Sequence, residues 1–243
     1  MRRAGICVLC LILVACASEA PRAPVEQRQG VKKAQGNPAS HTVVRGDTLY
    51  GIAWRYGRDY RELARANGIS RPYTIYPGQV LSLERARAGT PSAAARPVPK
   101  TTVTKPSPPR VTNTVPAPPD RPVSDWMWPT RGKIVRKYSA NSHNGIDIDG
   151  KAGDAVQATA AGRVVYAGSG IVGYGLLVIV KHNETYLSAY GHNQSLLVSE
   201  GDTVKAGQRI AEKGNSGTNT VKLHFEIRRE GKPVDPQRLL PSR

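Results

Sequence analysis

The chain has 243 residues, of which 39% are hydrophobic and 22% charged. That balance excludes a multi-span membrane protein and a wholly disordered chain, and the length suits one or two domains. A formal net charge of +17 calls for an anionic neighbour: nucleic acid, a membrane surface or an acidic polymer.

The N-terminus narrows that choice. Arg2 and Arg3 precede an apolar run from Ile6 to Ala15. The run is too short to span a bilayer, which takes about 20 residues, and it suits the core of a signal peptide. Leu13-Val14-Ala15-Cys16 resembles a bacterial lipobox. The resemblance implies that residues 1–15 are a signal peptide cut off before Cys16 and that the Cys16 thiol is lipidated. With Ala17 rather than Asp following, it implies sorting to the outer membrane, on its periplasmic face. An ordinary secretory signal with an incidental Cys is the competing reading. Cys7, Cys10 and Cys16 all lie in this segment, so the mature chain has no disulfide and no thiol nucleophile. Export also removes nucleic acid as a partner, leaving lipid head groups or cell-wall carboxylates to meet the basic charge.

Residues 16–40 are small and polar without periodicity and read as a tether. Residues 41–84 are patterned. His41-Thr42-Val43-Val44 is a short strand, Gly46-Asp47-Thr48 a turn and helix cap, and Leu49, Ile52, Ala53 and Tyr56 recur at helical spacing up to Gly57. Asp59 with Glu62 has the form of a capping box. Tyr60, Leu63 and Ala64 carry a second helix to Asn67-Gly68, and Pro77-Gly78 turns into the strand Val80 to Leu83. The order is βααβ, a small α+β module. These residues resemble a LysM module. The resemblance implies binding of N-acetylglucosamine sugars of peptidoglycan or chitin, with Gly46, Asp47, Thr48 and Leu49 on one side of a groove and Ile75, Tyr76 and Pro77 on the other. Each also has a structural role open to it: Asp47 or Thr48 as cap, Leu49 as core, Pro77 as turn.

Residues 85–124 hold ten of the 19 prolines and seven Lys or Arg against one acid, Asp120. Such a stretch is expected to be a disordered, extended and semi-rigid linker. Its forty residues at 3.1 Å each would reach about 100 Å.

From 125 to 243 short Val- and Gly-rich runs alternate with turns, which predicts a mainly antiparallel all-β domain. Leu176 to Val180 reads as a strand buried on both faces, and His182-Asn183 as a hairpin turn. Arg228, Arg229, Lys232 and Arg238 read as a solvated basic face. His143 and Asp147, at i and i+4, would share one face of an extended strand and could both reach one zinc ion. Lys222 and His224, at i and i+2, also share a face, and His192 is a further imidazole.

Together His143-x-Gly145-x-Asp147, Gly173-Tyr174-Gly175, Tyr190-x-His192, Gly214-x-Ser216-Gly217 and Leu223-His224-Phe225-Glu226 resemble the M23 peptidase (LytM) domain. The resemblance implies that His143, Asp147 and His224 bind one zinc ion and that His192 is a catalytic imidazole. A second catalytic His is expected at 222, where this chain has Lys222, a group that holds its proton at neutral pH. Glu226 reads either as a partner for a ring nitrogen or as a surface carboxylate.

The whole arrangement resembles NlpD-type lipoproteins. That resemblance implies a non-catalytic protein that binds peptidoglycan and activates a cell-wall amidase, an N-acetylmuramoyl-L-alanine amidase, during division. The alternative is a zinc metalloendopeptidase cleaving peptidoglycan peptide bonds, which the retained His143, Asp147, His192 and His224 keep open.

Overall fold

The computed structural model describes residues 38–84, 122–123 and 125–242. The expected signal segment with Cys16, most of the tether and most of the Pro-rich stretch lie outside the described residues. No described helix is long and apolar enough to cross a membrane.

The N-terminal module is βααβ, as its pattern indicated. Ser40–Thr42 (β1) pairs antiparallel with Val80–Ser82 (β2), His41 opposite Leu81. Leu49–Arg55 (α1) starts after Thr48, whose extended backbone lets its hydroxyl accept from the Gly51 N–H at 2.9 Å. Tyr60–Ala66 (α2) starts after Asp59, which accepts from the N–H groups of Arg61 and Glu62. Only this Asp59 half of the expected capping box is seen, since the Glu62 side chain faces solvent.

The C-terminal domain is an antiparallel sheet system. Its strands are Ile134–Arg136 (β3), Ile146–Asp149 (β4), Ala155–Gln157 (β5), Gly162–Gly168 (β6), Leu176–Lys181 (β7), Tyr186–Leu196 (β8), Thr203–Val204 (β9), Arg209–Lys213 (β10), Lys222–Arg229 (β11) and Lys232–Val234 (β12). The spatial order is β3-β4-β11-β8-β7-β6-β9, with β10 joining β5 and β8 and with β12 beside β11.

Period-two alternation assigns each strand two different tasks. On β11, Leu223, Phe225 and Ile227 enter the main core with Ile146, Ile148, Val178, Val180 and Tyr190. The intervening Lys222, His224, Glu226 and Arg228 face the other way. On β7, Leu177 and Ile179 share that second face, and so do Leu187 and Ala189 of β8, opposite Arg228 and Glu226. This is why the run from Leu176 to Val180 is continuously apolar: both faces are covered. The cover is the N-terminal module. Its Leu49, Ile52, Ala53, Trp54 and Leu63 form one cluster with Tyr166, Ile171, Leu177, Ile179 and Leu187. Tyr166 reaches this face although Val164, two residues earlier, enters the main core, because a bulge on β6 lies between them.

The approach is close. A Cβ on Gly51 would stand 2.9 Å from the Tyr166 ring, and one on Gly231 would lie 2.6 Å from the Arg58–Asp59 backbone. One expectation is corrected by this packing and one refined. Arg228 is not on a solvated face but 3% exposed under α1. His182-Asn183 does open the connection of the β7–β8 hairpin, but His182 is buried there, not exposed, with Nδ1 2.9 Å from the Ala161 carbonyl and Nε2 2.8 Å from the Ser188 hydroxyl.

Candidate functional site

The charged row of β11 leads from the docked module to an open cleft of about 490 Å³ lined by His143, Asp147, Tyr174, His192, Lys222 and His224. His224 lies opposite Asp147 of β4 in the strand register, which puts both side chains on the same face. His143 arrives by a different route from the one its spacing suggested. It precedes β4, in a turn closed by a bridge to Ser139, so no extended strand connects it to Asp147. The three residues converge all the same: one ligand atom from each of His143, Asp147 and His224 lies within 4.8 Å of the others.

Asp147 is the hub. Its Oδ1 is 2.7 Å from His224 Nδ1 and 3.3 Å from His143 Nε2, and its Oδ2 accepts from Lys222 Nζ at 2.8 Å. Burial pushes this carboxyl upward, but the bonds and charges of His224 and Lys222 outweigh burial and hold it well below the usual carboxylate range. Burial likewise opposes charge on His224, yet its ring sits between Asp147 and Glu226, with Nε2 3.0 Å from Glu226 Oε1, and its pKa is raised to about 8. Glu226 therefore serves the ring nitrogen rather than the solvent. Tyr174 Oη donates to it at 2.7 Å and Arg228 Nε at 3.0 Å, completing its acceptor set.

Two further imidazoles stay neutral. Burial lowers both His143 and His192. His192 Nδ1 is 2.8 Å from the Ser216 carbonyl, which fixes the proton there and leaves Nε2 as the basic nitrogen. His143 Nε2 is buried without a hydrogen-bond partner. A buried imidazole nitrogen without a hydrogen-bond partner, beside a carboxylate and a second imidazole, belongs to a donor set suited to a divalent cation such as zinc. Lys222 is the discordant member. Its ammonium already pairs with Asp147, the carboxylate that a metal would need.

The expected glycan residues divide. Asp47, Thr48, Leu49 and Ile75 line one cavity of about 530 Å³. Gly46, Tyr76 and Pro77 lie outside that lining; Tyr76 is 67% exposed. Leu49 is core as well as wall, at 1% exposure. Asp47 is held by His41 Nε2 at 2.7 Å and by the Val44 N–H at 3.0 Å. The spacing gave no hint of the opposite wall, which comes from β6, β7 and the turn before β9: Arg163, Val165, Lys181 and Glu200. Nor did it single out Arg228 and Tyr174 as parts of the charged network. The signal available for Arg228 was its place in the Lys222-His224-Glu226-Arg228 alternation.

Residues 41–84 match the LysM domain model and residues 141–236 match Peptidase family M23. The chain is 45% identical to the Lipoprotein NlpD/LppB homolog of Pseudomonas aeruginosa, over 97% of this chain and 90% of that protein. It is 39% identical to the Murein hydrolase activator NlpD of Escherichia coli K12, over 89% of this chain and 72% of that protein. Among solved structures, Csd3 of Helicobacter pylori matches at 25% identity and a TM-score of 0.45, over 49% of this chain and 34% of that one. With a LysM module, an M23 domain and this degree of identity along nearly its whole length, the chain belongs to the NlpD family of lipoproteins.

Proposed function

We propose that this protein is a peptidoglycan-binding activator of cell-wall hydrolysis, held to the periplasmic face of the outer membrane through Cys16, and that its partner is an N-acetylmuramoyl-L-alanine amidase acting as daughter cells separate. The reading draws on the Escherichia coli relative, which is named a murein hydrolase activator. One observation in this chain carries it: the Lys222 ammonium bonded to Asp147 at 2.8 Å.

The chemistry follows from that bond. Hydrolysis of a peptide bond needs a group to take a proton from the attacking water and return one to the leaving amine. His192 has a basic Nε2 for one half of that work. At the second position an ammonium offers only donors. It also holds one oxygen of the carboxylate that would ligate metal and places a positive charge beside any cation bound there. Zinc, when bound by His143 Nε2, Asp147 and His224 Nδ1, would polarise a carbonyl and activate a water. For that the His224 Nδ1 proton must leave, although two carboxylates stabilise it. Without metal both carboxylates of the cluster, Asp147 and Glu226, already have cationic partners in Lys222, His224 and Arg228, and the cleft serves recognition rather than cutting.

The orphaned His143 Nε2 favours the second reading, a zinc endopeptidase of reduced power. Purified full-length protein incubated with crosslinked peptidoglycan, alone and with an amidase, separates the two. The activator reading expects solubilised glycan only with the amidase and no new amino termini from the protein alone. Release of amino termini by the protein alone overturns it. Metal content after gel filtration, measured by atomic absorption, reports on zinc independently of turnover.

A further inference from the structure

The N-terminal module is fixed to the C-terminal domain at several points, and a cavity lies between them. Thr48 illustrates the fixation. Its hydroxyl accepts from the Gly51 N–H and donates to the Val165 carbonyl at 3.2 Å, so both its capacities are spent on structure. On the other side of the cavity, Glu184 of the C-terminal domain accepts from Tyr60 Oη at 2.6 Å and pairs with Arg71 at 2.9 Å. Between these two ties the cavity has an apolar wall of Leu49 and Ile75 from the module and Val165 from β6, with Arg163 and Glu200 contributed by the C-terminal domain.

We propose that this cavity is a two-domain carbohydrate site, in which an N-acetylated amino-sugar chain is held between the module's loops and the β6 edge of the C-terminal domain. The inference rests on the peptidoglycan-binding reading and adds to it the second wall. An N-acetyl sugar has an apolar ring face and methyl group together with hydroxyls and an amide. A concave pocket with an apolar lining and a few charged acceptors and donors matches that mixture. The volume, about 530 Å³, is in the range of small-molecule sites. Because the ligand touches both domains, it binds only their docked arrangement and stabilises it by mass action.

The test uses the full chain and the tetramer of N-acetylglucosamine, with binding measured by calorimetry. Ile75→Asp removes an apolar surface of the module, and Val165→Trp fills the cavity from the opposite side without altering the module. Both are expected to weaken binding at least tenfold. Weakening by Ile75→Asp with wild-type affinity in Val165→Trp overturns the two-domain site and leaves binding to the module alone. Absence of tetramer binding by the wild type overturns the glycan reading itself, and with it this proposal. Near-ultraviolet circular dichroism reports whether Val165→Trp has undocked the domains. If it has, Glu200→Trp at an exposed position of the same lining decides: at least tenfold weakening supports the shared site, and unchanged affinity rejects it.

Discussion

The Arg228 guanidinium lies 3.6 Å from the centroid of the Trp54 ring and donates to the Trp54 carbonyl at 2.8 Å. The same guanidinium donates through Nε to Glu226, whose other oxygen meets His224. A line of polar contacts thus runs from helix α1 through Arg228, Glu226, His224 and Asp147 to Lys222. The sugar-binding module is docked on the row of side chains that forms the cleft. Arg228→Ala removes a desolvated cation–π contact and the counter-charge of a buried carboxylate. A loss of about 3–5 kcal/mol of stability is expected, read from urea unfolding. Amide exchange in 49–55 is expected to accelerate more than in β10, which the arginine does not touch.

Lys222→His replaces a permanent donor by a group able to pass a proton. General acid–base groups contribute roughly 10²–10⁴ in rate. The substitution is therefore expected to raise release of amino termini from crosslinked peptidoglycan by about 10² or more over the wild type, and to increase zinc retained through gel filtration. Unchanged turnover in a variant that retains zinc would place the obstacle to catalysis elsewhere than at 222.

His182 makes stability depend on pH. Complete burial lowers its pKa from the ordinary 6.5 to about 4, and the neutral ring fits between the Ala161 carbonyl and the Ser188 hydroxyl. The unfolded chain takes up a proton near 6.5 that the folded chain refuses until about 4. Its contribution is complete above pH 6.5, declines as pH falls toward 4 and flattens below, by at most about 3 kcal/mol. His143 and His192, also lowered, act with the same sign. His224, raised to about 8, acts oppositely in metal-free protein: its contribution is complete below 6.5 and lost as pH rises through 8. Urea midpoints of the wild type and of His182→Gln at pH 4.5, 5.5 and 7 are expected to converge at the lowest pH.

Thr48→Val keeps the shape of the side chain and removes its hydroxyl. A helix cap is worth about 1 kcal/mol, and the bond to the Val165 carbonyl adds a contribution of about 1 kcal/mol. A loss of about 2 kcal/mol is expected by chemical denaturation, with Thr48→Ser recovering most of it.

The local signals were readable because they act locally. Thr48 and Asp59 announce helices through their own side chains, and Leu223-His224-Phe225-Glu226 declares two faces by alternation. The set of residues around Asp147 was legible through the resemblance to the M23 domain, although the route taken by His143 was not, since i, i+4 spacing describes an extended strand and says nothing of a turn. The docking of the two domains was written only in part. The unbroken apolar run at 176–180 requires a cover on each face, but no residue in it names the cover. Arg228 was misread for the same reason: an arginine beside other basic residues resembles a wet surface until the element above it is placed.

The Lys222–Asp147 bond has a consequence for the conditions in which the protein can work. An ammonium carried on the polypeptide is a counter-ion that no chelator strips and no metal shortage depletes. The charge pairing at Asp147 is thereby built into the polypeptide and persists where zinc is scarce.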